Sequence, residues 1–432
     1  LDSLLTRRDL ASVSLAYARN GYPHAAVSVA GYRLERDSIC RAVVIEEGPR
    51  VTLTEFRFYG NQATRTGTAA RIAGLNIPEV FDSRRVEAAV TRLERSGLFE
   101  RVYPPFLELG VKGYGQEVLA VRVTEKPYHS IYGALGYQQS DGSDKGWLAG
   151  ALRLSLANIA GTARAFTLHW QRPRQENSRL EMGYAEPFIL GLPVSAELEA
   201  GHRVEDSSFV QTTAGAVLSV TMGGNLLLGI GGGLERVVPG QAQTFSRSLK
   251  YSSRWQFKAD FREGGRGKGP WLYGRLDYGR KRYSQTGAQH TVARVHGDGE
   301  WLAKLWRGLH AFCGLHGRAV TSGESPVPRT DQFSMGGAGS LRGYFEDQFV
   351  ANHLAWGSAE LRLTADRTLS FHPFWDAGYF WDGGRGQRGI RHGYGFGFRL
   401  AARVGRVEVD YGLGRDDGPW DGKVHLLLSS DF

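Results

Sequence analysis

From Tyr128 to Phe432 the chain alternates apolar residues with small, polar or charged ones, and a period of two commits it to strands with two chemically different faces. Leu148, Gly150, Leu152, Leu154 and Leu156 share one face, with Ala149, Ala151, Arg153 and Ser155 on the other. Phe166, Leu168 and Trp170 oppose Ala165, Thr167 and His169, and Leu180, Met182 and Tyr184 oppose Glu181, Gly183 and Ala185. Nearer the C-terminus, Tyr394, Phe396, Phe398 and Leu400 oppose Gly393, Gly395, Gly397 and Arg399, and Val407, Val409, Tyr411 and Leu413 oppose Glu408, Asp410, Gly412 and Gly414. About sixteen such runs fill the segment. Two folds can hide the apolar face. A soluble sandwich turns it inward, whereas a membrane barrel turns it to lipid, keeps polar residues in the lumen and closes so that no edge is unpaired. The polar face is dense in Gly, Arg, Glu and Asp, and aromatics gather near strand ends of the other face, as in an aromatic girdle. These features predict a membrane β-barrel of sixteen antiparallel strands.

Composition agrees. Gly occurs 58 times and aromatics make up 11%, with 15 Pro and 3 Met, a balance suited to many twisted strands. No window approaches eighteen uncharged apolar residues, so no helix is expected to cross a membrane. The net charge of +9 is spread without a basic block, which argues against nucleic-acid binding. Cys40 and Cys313 lie far apart, outside any CxxC or Cys/His ligand spacing, and are expected as thiols rather than a bridge or metal site. No GxSxG, HExxH or P-loop occurs. The "GIGGGLE" run at Gly229 to Glu235 sits in an alternating strand with no helix after it. The His residues are scattered; His310 and His316 share a lumenal face without an evident third ligand. No enzyme, metal or cofactor is expected.

The first 127 residues follow a different pattern. "RRDLASVSLAYARNGY" has helical spacing and a stop at Asn20-Gly21, and strands are expected at Ala26 to Leu34 and Arg41 to Glu47. Next come a strand at Val51 to Tyr59, helices at Thr66 to Ala73 and Asp82 to Ser96, and strands at Arg101 to Leu109 and Glu117 to Glu125. Asp82 can cap the second of these helices ahead of Val86, Val90 and Leu93. A strand-helix-helix-strand-strand unit is thus complete at 51–127 and partial at 1–50. The opening "LDSLLTRRDL" reads as the middle of a helical domain, as in a mature or truncated chain.

The alternation stops between about Thr321 and Asn352, a loop too long for an ordinary barrel turn. It contains "GSLRGY". On the strand that follows, phase turns Trp356, Ser358, Glu360 and Arg362 inward. On the next, it turns Phe374, Asp376, Gly378 and Phe380 inward. Glu360 and Asp376 therefore face the lumen from adjacent strands, an arrangement that calls for a cation, and a guanidinium binds carboxylates with fixed geometry. We expect the loop to fold into the barrel with Arg342 against Asp376 and Glu360, Gly343 allowing close approach and Tyr344 packing on the lumenal wall near Phe374.

"LRGY", Leu341 to Tyr344, resembles the (V/L)RG(F/Y) motif of the BamA/TamA superfamily of outer-membrane assembly and secretion barrels, which includes the two-partner secretion transporters. "FWDAG", Phe374 to Gly378, resembles the second family signature, the N-terminal units resemble POTRA domains, and "KVHLLLSSDF" ends on Phe432 as many outer-membrane barrels do. The resemblance spans nearly the whole chain, although the barrel is short and the POTRA-like units are few for BamA. It implies an outer-membrane location in a Gram-negative-type cell or an organelle envelope, with POTRA domains periplasmic. The implied work is insertion of outer-membrane proteins, with secretion of polypeptides, a passive pore and lipid handling as alternatives. The partners implied are unfolded outer-membrane or secreted polypeptides, membrane lipids and periplasmic accessory proteins. The first barrel strand carries Gly133 and Gly136 and must pair with the strand ending at Phe432. Gly weakens a strand, so this seam is a candidate lateral gate, and free POTRA edges are candidate sites for adding a client strand.

Overall fold

The computed structural model describes residues 3–35, 38–110, 115–126, 128–138, 147–174, 176–205, 208–223, 225–240, 247–262, 268–364, 369–402 and 405–431. Two compact units emerge, Leu1–Lys126 with Ala160–Thr162, and Pro127–Ile159 with Ala163–Phe432.

The first unit holds α1 (Ser3–Arg19), β1 (Ala26–Glu35), β2 (Ser38–Glu46), β3 (Thr52–Tyr59), α2 (Thr66–Ala73), β4 (Glu79–Val80), α3 (Ser83–Arg95), β5 (Phe99–Val102), β6 (Phe106–Leu109) and β7 (Gln116–Glu125). Helix α2 stops at Gly74, whose left-handed backbone returns its N–H to Ala70 O. Helix α3 starts at Asp82, whose carboxylate accepts the Arg84 N–H at 2.9 Å. Its apolar stripe, Val86, Ala89 and Leu93, is buried, and Val51, Leu53, Phe81, Val86 and Leu119 form a conventional apolar core. Strand β3 runs parallel to β7, and β5 and β6 pair antiparallel with β7. The single strand expected at Arg101 to Leu109 is broken, with β5 and β6 separated at Tyr103–Pro105. Pro104 and Pro105 have no N–H to give a ladder.

The second unit is a closed barrel of sixteen strands among the described residues. They are β8 (His129–Gln138), β9 (Trp147–Ile159), β10 (Arg164–Arg174), β11 (Asn177–Glu186), β12 (Val194–Glu205), β13 (Phe209–Met222), β14 (Leu226–Pro239) and β15 (Ser248–Asp260). Then come β16 (Gly269–Tyr283), β17 (Gln289–Trp306) and β18 (Leu309–Ser322). After a loop holding β19 (Phe333–Met335) and β20 (Phe349–Ala351), the barrel resumes with β21 (His353–Thr364), β22 (Leu369–Asp382), β23 (Gln387–Ala402), β24 (Gly405–Gly414) and β25 (Lys423–Asp431).

The side chains are distributed inside out relative to a soluble protein. Leu218, Ile230, Trp255, Leu276, Leu315, Trp375 and Phe398 are exposed, while Glu235, Lys250, Arg254, Asp277, Lys281 and Asp376 are buried. A sandwich would show the reverse, so an apolar exterior with a charged interior selects the membrane barrel. Ladder lengths are uneven. Among the described residues, strands β13 and β14 share fourteen residue pairs and β24 and β25 share seven, whereas β25 and β8 share two, Ser430↔Ile131 and Asp431↔Ser130.

Candidate functional site: the lumenal loop

The connection from β18 to β21 is built as a small domain of its own. Strands β19 and β20 pair from Phe333↔Ala351 to Met335↔Phe349 and form its stem. Met335, Leu341, Tyr344 and Ala351 then pack with Leu354 and Trp356 of β21 into an apolar cluster. Gly378 on β22 faces this cluster: a Cβ there would lie 2.8 Å from Met335 Cε and 3.2 Å from Leu341 Cδ2.

Next to this cluster the chain buries a charge. Arg342 Nε and Nη2 donate to Asp376 Oδ2 and Oδ1 at 2.8 and 2.7 Å, a two-pronged bond, and the Arg342 backbone N–H adds a third at 3.1 Å. Its Nη1 lies 2.9 Å from Glu360 Oε1 and 3.4 Å from Asp410 Oδ2. All four side chains are buried. Burial works against the guanidinium charge, but Asp376, Glu360 and Asp410 outweigh it and hold Arg342 above its ordinary pKa. The carboxylates are held in turn: Glu360 by Arg362 Nε at 2.8 Å, and Asp410 by His372 Nε2 at 3.0 Å.

The structure separates two residues that the sequence reading put together. Phe374 lies beneath Arg342, with the guanidinium carbon 3.6 Å from the ring centroid, a cation–π contact. Tyr344 instead packs edge-on to Phe349, donates to His392 O and accepts from Arg415 N–H, both at 3.1 Å. The reason is geometric. Gly343, at φ +90, reverses the chain between Arg342 and Tyr344, so consecutive side chains reach different strands. The turn sits in a notch where backbone meets backbone. A Cβ on Gly393 would lie 1.9 Å from Arg342 O, and one on Gly343 would lie 2.6 Å from Leu413 O.

The opposite limb of the loop carries a second ionic contact that strand phase did not reveal. Asp331 is buried, with Lys281 Nζ 2.7 Å from Oδ2, Arg294 Nη2 2.6 Å from Oδ1 and Lys250 Nζ 3.4 Å from Oδ1. Glu235 joins from β14, bonded to Lys250 at 2.7 Å and Arg294 at 2.9 Å. Glu324 of the loop lies 3.3 Å from Lys281. Burial opposes ionisation of Asp331, but Arg294, Lys250 and Lys281 more than reverse this and hold its carboxyl below the usual range. Inward phase was available for each wall residue. What phase lacks is height along the barrel and the partner across the lumen.

Other predicted positions fall elsewhere. Gly133 and Gly136 pair with Leu152 and Ala149 of β9, outside the two-pair contact with β25, and Phe432 lies outside the described residues. His316 faces Asp298 at 2.7 Å and stacks on Trp356. His372, Glu408 and Asp410 form a His/carboxylate triplet of metal-ligating type. Arg399 bonds Glu408 at 2.8 Å and Arg342 approaches Asp410, so guanidinium groups already serve as counter-ions there and the donors fit an ion-pair network rather than a metal.

Together these features define a class: a sixteen-stranded membrane barrel whose lumen is bridged by an ordered loop, preceded by a small α+β region that resembles POTRA domains. Residues 272–432 match the Omp85 superfamily domain. Barrels that carry that domain reside in outer membranes of Gram-negative bacteria or of organelles. The fold is similar to BamA from Haemophilus ducreyi lacking POTRA domains 1–3, with 16% identity, TM-score 0.56 and coverage of 100% of this chain and 94% of that one. It is similar also to CdiB from Acinetobacter baumannii, with 13% identity, TM-score 0.58 and coverage of 95% and 79%. CdiB from Escherichia coli gives 15% identity, TM-score 0.59 and coverage of 100% and 85%.

Proposed function

We propose that this protein inserts β-barrel proteins into the outer membrane, receiving client strands at the β8–β25 seam after capture on free sheet edges of the N-terminal unit. The observation that carries this reading is the seam itself. Among the described residues two pairs close it, against ten between β8 and β9 on its other side. Each ladder bond not made leaves a donor or acceptor that lipid cannot satisfy, so a short seam is the place where an incoming strand gains most by pairing. No nucleotide is needed, because strand pairing and burial of the client's apolar face supply the free energy. The docked loop fits the same work: it fixes the lumenal side of β21 to β24, next to the last strand, while the seam opens. Cysteines at Ser130 and Asp431, oxidised to a disulfide, should abolish insertion of a denatured client, and reduction should restore it; full insertion in the oxidised state would refute the gate. Depletion of the protein should empty the outer membrane of many barrels. Loss of one secreted polypeptide, with the barrel proteome intact, would instead establish a two-partner secretion transporter.

A further inference from the structure

The wall around Asp331 has the composition of a binding site. Without the loop, Lys250, Lys281 and Arg294 face one another with Glu235 as their nearby carboxylate, an excess of cations from three adjacent strands. The loop restores balance by inserting Asp331 and Glu324. It also inserts backbone: Thr330 O accepts from Arg294 Nη2 at 3.3 Å and from Gln211 Nε2 of β13 at 3.4 Å. Arg294 Nε remains buried without an acceptor among the described residues, a donor left in reserve. Beside this wall is a lumenal cavity of about 470 Å³ that shares Glu235, Lys250 and Arg294 in its lining.

We infer that Lys250, Lys281, Arg294 and Gln211 form a site for an acidic side chain and the adjacent carbonyl of a polypeptide, and that Asp331 with Thr330 fills it as the chain's own stand-in. A client carboxylate takes the site when the loop withdraws, so the loop and an acidic client segment compete. The inference rests on the proposed handling of polypeptides, but the binding it describes is measured without any insertion assay.

The test uses the full chain in planar lipid bilayers, with a short Asp/Ser peptide as probe and its Asn/Ser counterpart as control. A variant with residues 325–348 replaced by a Gly/Ser linker has the site open. Its current should be blocked by the Asp peptide at about tenfold lower concentration than by the Asn peptide, since charge-assisted bonds are roughly twice as strong as neutral ones. Adding Lys250→Gln and Lys281→Gln should erase that preference, and the parent protein should show none. Asp331→Asn, which keeps the loop, should show a smaller preference of the same sign and serves if the deletion fails to fold by heat-shifted gel mobility. Equal block by both peptides in both variants would overturn the site and leave Asp331 a latch. A preference for the Asp peptide in a protein shown not to insert clients would keep the site while removing the insertion reading.

Discussion

The loop meets the barrel at two walls of opposite character. At β21 to β24, Arg342 enters a wall that presents Glu360, Asp376 and Asp410; at β15 to β17, Asp331 enters one that presents Lys250, Lys281 and Arg294. Each limb carries the charge that its wall lacks. A loop docked by apolar packing alone would slide, whereas reversed charges at the two ends fix which limb goes where. The walls differ in tolerance as well. Arg342 combines a fork on Asp376, a ring beneath it and a backbone notch at Gly393, while Asp331 is a single carboxylate among flexible cations.

Breaking the stronger end should have the largest effect. Arg342→Ala strands buried carboxylates and should cost about 3–5 kcal/mol of loop docking, read as rapid protease cleavage within 321–352. Arg342→Lys should recover part of this, because an ammonium keeps the charge but cannot make the fork. Gly393→Ala should come next, at about 1–3 kcal/mol, since a methyl group collides with Arg342 O and the ion pair must shift although none of its members has changed. Asp331→Asn should cost about 1–2 kcal/mol and expose only the first limb, near residues 324–331, with cleavage sites mapped by mass spectrometry. Uniform cleavage of both limbs in that variant would show that the two ends are one cooperative unit.

The smallest effect serves as a control outside the barrel. Glu125 is lowered to a pKa of about 2: burial pushes it up, but the N–H groups of Ala63, Thr64 and Gln62 more than compensate. Its folded value lies below an unfolded value of about 4.3. The stabilisation is therefore complete above the ordinary carboxylate range and is lost as pH falls through about 2. Glu125→Ala should cost about 1 kcal/mol, flatten the acid limb of unfolding of the N-terminal unit, and leave loop cleavage unchanged.

Strand parity alone makes the anionic wall legible in the sequence. Glu360 and Asp376 were turned inward by counting, and the Arg-Gly-Tyr segment was an evident cation carrier. Asp410 had the same inward parity two strands further on, yet nothing in its own strand says that it reaches Arg342. The cationic wall was hidden for a related reason: Asp331 lies in a loop with no periodicity, and Lys250, Lys281 and Arg294 converge only through the registers of three ladders. Phe374 was placed inward but assigned to Tyr344, because sequence does not show that Gly343 turns the chain between them. In the N-terminal unit the capped helix is legible, while the single strand expected across Pro104-Pro105 breaks because those residues forbid a continuous ladder.

The most direct test joins loop docking to work on clients. The parent protein, Arg342→Lys and Arg342→Ala would each be reconstituted in lipid vesicles, and the folding of a urea-denatured outer-membrane barrel followed by heat-shifted gel mobility. The expected order is parent, then Lys, then Ala, with Ala no faster than empty vesicles while its own barrel remains folded. Insertion at the parent rate by an Arg342→Ala protein whose loop is demonstrably protease-sensitive would contradict the role assigned to the docked loop.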